Sequence, residues 1–141
     1  MVFLSGVLLG ARWGAGVGAL SMLAYSLLNP YGPAHPLVTL SQVVGELIAG
    51  PAGAAFYAAG LVSRATWVRA AALAGIAVAV TAFFDFITNL ATGILFGQIR
   101  AMLIGGIPFA AIHIGTNVLL FVVLGTPLVG LFARYRSRLS S

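Results

Sequence analysis

The side chains able to do chemistry in this sequence fall into three clusters and one loop. Gln42 and Glu46 stand four residues apart with Thr39 close by, a spacing that puts them on one face of a helix. Asp85, Thr88, Asn89 and Thr92 follow the i, i+3, i+4, i+7 pattern and share a second helical face. His113 and Asn117 are again four apart, with Thr116 adjacent. The loop segment Asn29-Pro30-Tyr31-Gly32-Pro33-Ala34-His35-Pro36 adds Asn29, Tyr31 and His35. Such amides, hydroxyls, carboxylates and imidazoles suit the recognition of a polar small molecule. They do not assemble a catalytic motif. The chain has no lysine for a phosphate loop, no cysteine, no G-x-S-x-G elbow and no close carboxylate pair. His35 and His113 lack the H-x-x-x-H or H-E-x-x-H spacing of a metal site, and no cofactor is implied.

These clusters are embedded in a chain that cannot dissolve in water. Of its 141 residues, 61% are hydrophobic and only 6% charged, with a mean hydropathy of +1.10. A soluble domain carries about a quarter charged residues to solvate its surface. Seven arginines, one glutamate and one aspartate leave most of the exterior to face lipid. The arginines lie singly between apolar runs and form no basic face, so nucleic acid is not a partner. The lipid bilayer is, and polar groups persist at membrane depth only where they are paired or used.

Spanning the hydrocarbon takes roughly 20 apolar helical residues. The sequence predicts an all-α polytopic transmembrane bundle of about five helices forming one domain over residues 1–141. Gly10-Ala11-Arg12-Trp13-Gly14 reads as a tight turn. It divides a short helix ending near Gly10 from a longer one ending near Leu28. Three prolines and a glycine make Asn29–Pro36 a loop. A third helix runs from about Leu37 to Leu61 with a kink at Gly50-Pro51. Ser63–Arg69 is a polar connection. A fourth helix runs from about Trp67 to Phe96 and a fifth from about Ala101 to Phe132, with Pro108 and Pro127 as break points.

A cytoplasmic Arg12 turn places Arg64, Arg69, Arg134, Arg136 and Arg138 on the same side, six of the seven arginines. The positive-inside rule therefore predicts a cytoplasmic C-terminus in the inner or plasma membrane. It also leaves the N-terminus outside, with a first helix too short to span. This favours a sixth helix ahead of Met1, with both ends of the complete fold inside. Small residues every four positions (Gly6, Gly10, Gly14, Gly18; Gly45, Ala49, Gly53; Ala71, Gly75, Ala79) predict close helix packing, or the docking of a partner membrane protein.

Several segments together resemble the substrate-binding S components of energy-coupling factor vitamin transporters. They are Val2 to Leu20, the loop Asn29-Pro30-Tyr31-Gly32-Pro33, the run Gln42-Val43-Val44-Gly45-Glu46-Leu47-Ile48-Ala49-Gly50, Phe84-Asp85-Phe86-Ile87-Thr88-Asn89-Leu90, and Gly106-Ile107-Pro108-Phe109 followed by His113 and Asn117. The resemblance covers nearly the whole chain. It implies a six-helix fold of which the first helix is missing here. It also implies an outward-facing pocket gated by the loop after the third helix of that fold. The implied partners are a transmembrane coupling protein and two ATPase subunits, with a vitamin or related micronutrient as substrate. On this reading the chain is not an enzyme, and the pocket draws on Asn29, Tyr31, His35, Gln42, Glu46, Asp85, Asn89, His113 and Asn117. Two acids and no lysine favour a neutral or cationic ligand, while Arg100 on the external turn is placed to meet an anionic group. Two rival readings remain: a structural or assembly subunit whose polar residues only join helices, and a membrane enzyme using His113 and Asp85 as an acid–base pair.

Overall fold

The computed structural model describes residues 1–139, with the side chains of Ser137 and Leu139 excepted. Every regular element among them is helical. α1 (Val2–Leu9) and α2 (Ala11–Leu27) are separated by Gly10 alone. Its φ of +87° lies where a side chain would be strained, so glycine makes the reversal possible. The turn is thus tighter than the five-residue segment expected, and Arg12 and Trp13 sit exposed on the first turn of α2. α3 (Pro36–Leu47) and α4 (Ala49–Ala58) form one bent helix. A short 3₁₀ turn (Leu61–Ser63) leads into α5 (Thr66–Leu95). α6 (Ile99–Gly105), α7 (Ile107–Leu120), a π-helical turn (Phe121–Gly125) and α8 (Thr126–Leu139) then follow almost end to end.

The breaks in these helices follow from proline. Its ring collides with the carbonyl four residues back and removes one hydrogen bond. Counting back from Pro51 gives Leu47, the last residue of α3; from Pro108, Ile104 near the end of α6; from Pro127, Val123 inside the π turn. The expected kink at Gly50-Pro51 therefore appears three residues earlier, at Leu47–Ile48.

Glycine sets how the first half packs. α1 and α2 lie against each other and both lie against α4. A β-carbon on Gly14 would come within 2.7 Å of the Gly6 Cα, and one on Gly6 or Gly50 would run into the backbone of the neighbouring helix. Bare backbones in contact supply the van der Waals area that joins helices in lipid. Next to this crossing lies the apolar core: Phe3, Leu4, Val7, Phe56, Leu73 and Val129. Phe3 packs edge-on to Phe56, with 5.6 Å between ring centroids. The ladder Ala71, Gly75, Ala79 behaves differently. All three residues are exposed, and no atom lies within 4 Å of a β-carbon placed on Gly75.

Three helices are long and apolar enough to cross a membrane: Pro36–Ala58, Thr66–Leu95 and Ile107–Arg136. Their outward faces carry Leu40, Val78, Phe83, Phe86, Ile112, Leu119 and Leu124 in the open. Water would not tolerate that surface and hydrocarbon requires it, so the protein is membrane-embedded.

Candidate functional site

The close approach of α3 to α5 begins the site. A β-carbon on Gly45 would come within 2.6 Å of the Phe84 ring, so only glycine lets the two helices meet there. This brings the next residue, Glu46, beside α5. α5 also packs along α7, and the two are tied by polar pairs at two levels. The His113 Nδ1 lies 2.8 Å from the Asp85 Oδ1, and the Asn117 amide donates to the Thr81 hydroxyl at 3.0 Å. Asp85 is 5% exposed, so its Oδ1 meets the imidazole rather than water. Because Nδ1 is engaged with Asp85, the His113 Nε2 is the nitrogen left to face other chemistry.

A cavity of about 210 Å³ opens between these helices. Its polar wall is Glu46, Thr81, His113 and Asn117; its apolar wall includes Phe3, Met22, Phe84 and Phe121. His113 is held edge-on by Phe84, with 6.0 Å between centroids, and flanked by Phe109 at 5.7 Å. Glu46 takes no part in the hydrogen bonds that join the helices around it. An apolar crevice of about 280 Å³ continues from the cavity, sharing Met1, Phe3, Asn117 and Phe121 with it. Together they offer a charged, hydrogen-bonding end and an oily end.

Of the residues singled out in sequence, Glu46, His113 and Asn117 line this cavity, and Asp85 stands directly behind His113. Asn89 and Asp85 line a separate hollow of about 240 Å³ between α5, α6 and α7. There Asn89 rests against Gly106, where a β-carbon would collide with its amide. Gln42 accepts a hydrogen bond from Ser26 of α2 at 3.2 Å. The loop residues stay apart from the cavity. The Asn29 side chain accepts from the Tyr31 amide N–H, Tyr31 is 97% exposed, and the His35 Nδ1 accepts from the Leu37 N–H to cap α3. Thr81 was missed in sequence, although it stands four residues before Asp85 on the same helical row. Its buried Oγ1 oxygen holds the Asn117 amide in place. Two further buried oxygens near this site, Asp85 Oδ2 and Thr88 Oγ1, have no protein partner among the described residues.

Compared with known proteins, the chain matches no family model, no curated protein and no solved structure.

Proposed function

We propose that this chain is a capture subunit for a small polar nutrient, working as the substrate-binding S component of an energy-coupling factor type transporter. The observation that carries the reading is the cavity itself: Glu46, Thr81, His113 and Asn117 converge on one space from three helices. A carboxylate at that depth is costly unless other groups meet it. The ligand this wall suits is neutral or cationic where it faces Glu46, with an apolar body for the crevice beyond; a vitamin or related micronutrient has that make-up. About five helices in this chain, with the C-terminus cytoplasmic, accord with the arginine distribution. A transmembrane coupling protein and two ATPase subunits would supply the energy, since this sequence has no phosphate loop.

Thermal unfolding of the purified chain across a panel of vitamins and micronutrients tests the proposal. A ligand present at 100 times its dissociation constant adds about 2.7 kcal/mol to stability. One compound should give that shift, and Glu46→Gln should weaken it by about tenfold or more through loss of a charge-assisted hydrogen bond. A second reading is also favoured by a specific observation. The Asp85–His113, Asn117–Thr81 and Ser26–Gln42 contacts are all interhelical, which is what a purely structural or assembly subunit needs. No shift with any compound, from well-folded protein, would select that reading.

A further inference from the structure

At the end of the bundle opposite the Asn29–Pro36 loop, a groove of about 540 Å³ lies between the end of α4, the 3₁₀ turn, the first turn of α5 and α8. Its lining is Tyr57, Ser63, Arg69 and Arg134, with Gly60, Val62, Gly130 and Ala133 providing the room. We propose that this groove binds the phosphodiester headgroup of an anionic membrane lipid.

The charge is one part of the argument. Arg69 and Arg134 both line one hollow, and no acidic side chain lines it among the described residues. Arginine presents a planar fork of donors matched to phosphate oxygens. Arg69 is already oriented, because its Nη1 donates to the Val62 carbonyl at 3.1 Å. Its Nε is buried and has no protein acceptor among the described residues.

Depth is the other part. All three apolar helices reach this groove near one end: Ala58 closes one, Thr66 opens another, and the third meets it through Gly130, Ala133 and Arg134 of α8. The groove therefore sits where hydrocarbon gives way to headgroups. Trp67, 75% exposed on the first turn of α5, is the aromatic residue typical of that boundary. Basic pockets between helices at this level recognise lipid phosphates. A soluble phosphate would have no reason to prefer this height. The proposal is independent of which solute the central cavity takes.

The purified chain in dodecyl maltoside is titrated with short-chain phosphatidylglycerol, with phosphatidylcholine of equal chain length, and with inorganic phosphate, each followed by thermal unfolding. Phosphatidylglycerol is expected to raise the melting temperature saturably, with little response to the other two. Arg134→Gln should weaken the apparent affinity by about fivefold, the weight of one basic residue near an anionic surface. Gly130→Leu should abolish the shift by filling the groove. Arg134 is exposed, and a β-carbon on Gly130 meets no atom within 4 Å, so both variants keep the fold. Arg100→Gln, at the far end of the bundle, should change nothing. The proposal fails if phosphatidylglycerol gives no saturable shift, or if phosphatidylcholine or phosphate alone reproduces it. It also fails if Arg100→Gln weakens binding as much as Arg134→Gln does, or if neither groove variant weakens it.

Discussion

The two polar pairs between α5 and α7 look alike on paper and should behave differently when broken. Asn117→Ala removes a neutral hydrogen bond to Thr81. Such bonds in membrane bundles are worth about 0.6 kcal/mol on average, so the loss should be near the limit of detection. Asp85→Ala removes a carboxylate that is 5% exposed and leaves His113 without its partner. Stranding one member of a buried ionisable pair costs about 3 kcal/mol or more in soluble proteins. Even halved by competing partners in the bilayer, the cost should exceed that of Asn117→Ala clearly in equilibrium unfolding from detergent. Equal losses would mean that the Asp85–His113 contact is an ordinary neutral hydrogen bond. At this scale the sequence told half the story. Four-residue spacing pointed to Glu46, Asp85, His113 and Asn117, which the structure brings to one place because a helix turns that spacing into a shared face. Asn29 and His35 of the loop lie apart from the cavity, where their side chains accept from neighbouring backbone N–H groups. Thr81 was invisible because a threonine within an apolar run often bonds only its own helix, as Thr92 and Thr116 do here.

Among the helices, glycine positions separate into those that touch and those that face lipid. A β-carbon on Gly50 would collide with the Gly14 backbone, whereas Gly75 and Gly115 meet nothing within 4 Å. Gly50→Ala should therefore cost about 1–3 kcal/mol of stability, the range for overpacking a close-packed site. Gly75→Ala should be neutral or stabilising by a few tenths, following helix propensity. Parallel thermal denaturation of the two variants checks this; comparable losses would refute the close α2–α4 approach. The helices themselves were readable because each is an apolar run bounded by Gly, Pro or Arg. Their breaks were not located to the residue, because proline acts on a carbonyl four positions upstream of itself. The small-residue ladders were only partly readable. The same four-residue spacing serves a packed face at Gly6, Gly14 and Gly18 and an open one at Ala71, Gly75 and Ala79.

Taken as a whole, the molecule sorts its charge by end. A β-carbon built on Gly10, close to Arg12 in sequence, would lie 3.9 Å from the Arg136 guanidinium. Arg136 in turn donates to the Val7 carbonyl and stacks over Tyr57 at 4.2 Å. Arg69 and Arg134 share the groove at that same end. The Asn29–Pro36 loop and Arg100 belong to the other. The chain has no cysteine, so single cysteines report sidedness cleanly. A membrane-impermeant maleimide applied to intact cells should label Gly32→Cys and spare Ser63→Cys until the membrane is opened. The reverse pattern would invert the orientation drawn from the arginines.

The π turn at Phe121–Gly125 has a consequence for insertions and deletions. A π turn holds one residue more than the α-helix it interrupts, and each residue advances a helix by about 100°. That surplus residue sets the rotational phase of everything after it. With it, Val129 is buried in the core and Arg136 reaches the end of α1. Deleting Val122 would tidy the turn into regular helix and swing both residues about a quarter-turn out of place. Substitutions at the same position, which is only half-buried, keep the count and hence the phase. In related sequences this segment should vary freely in composition and hardly at all in length.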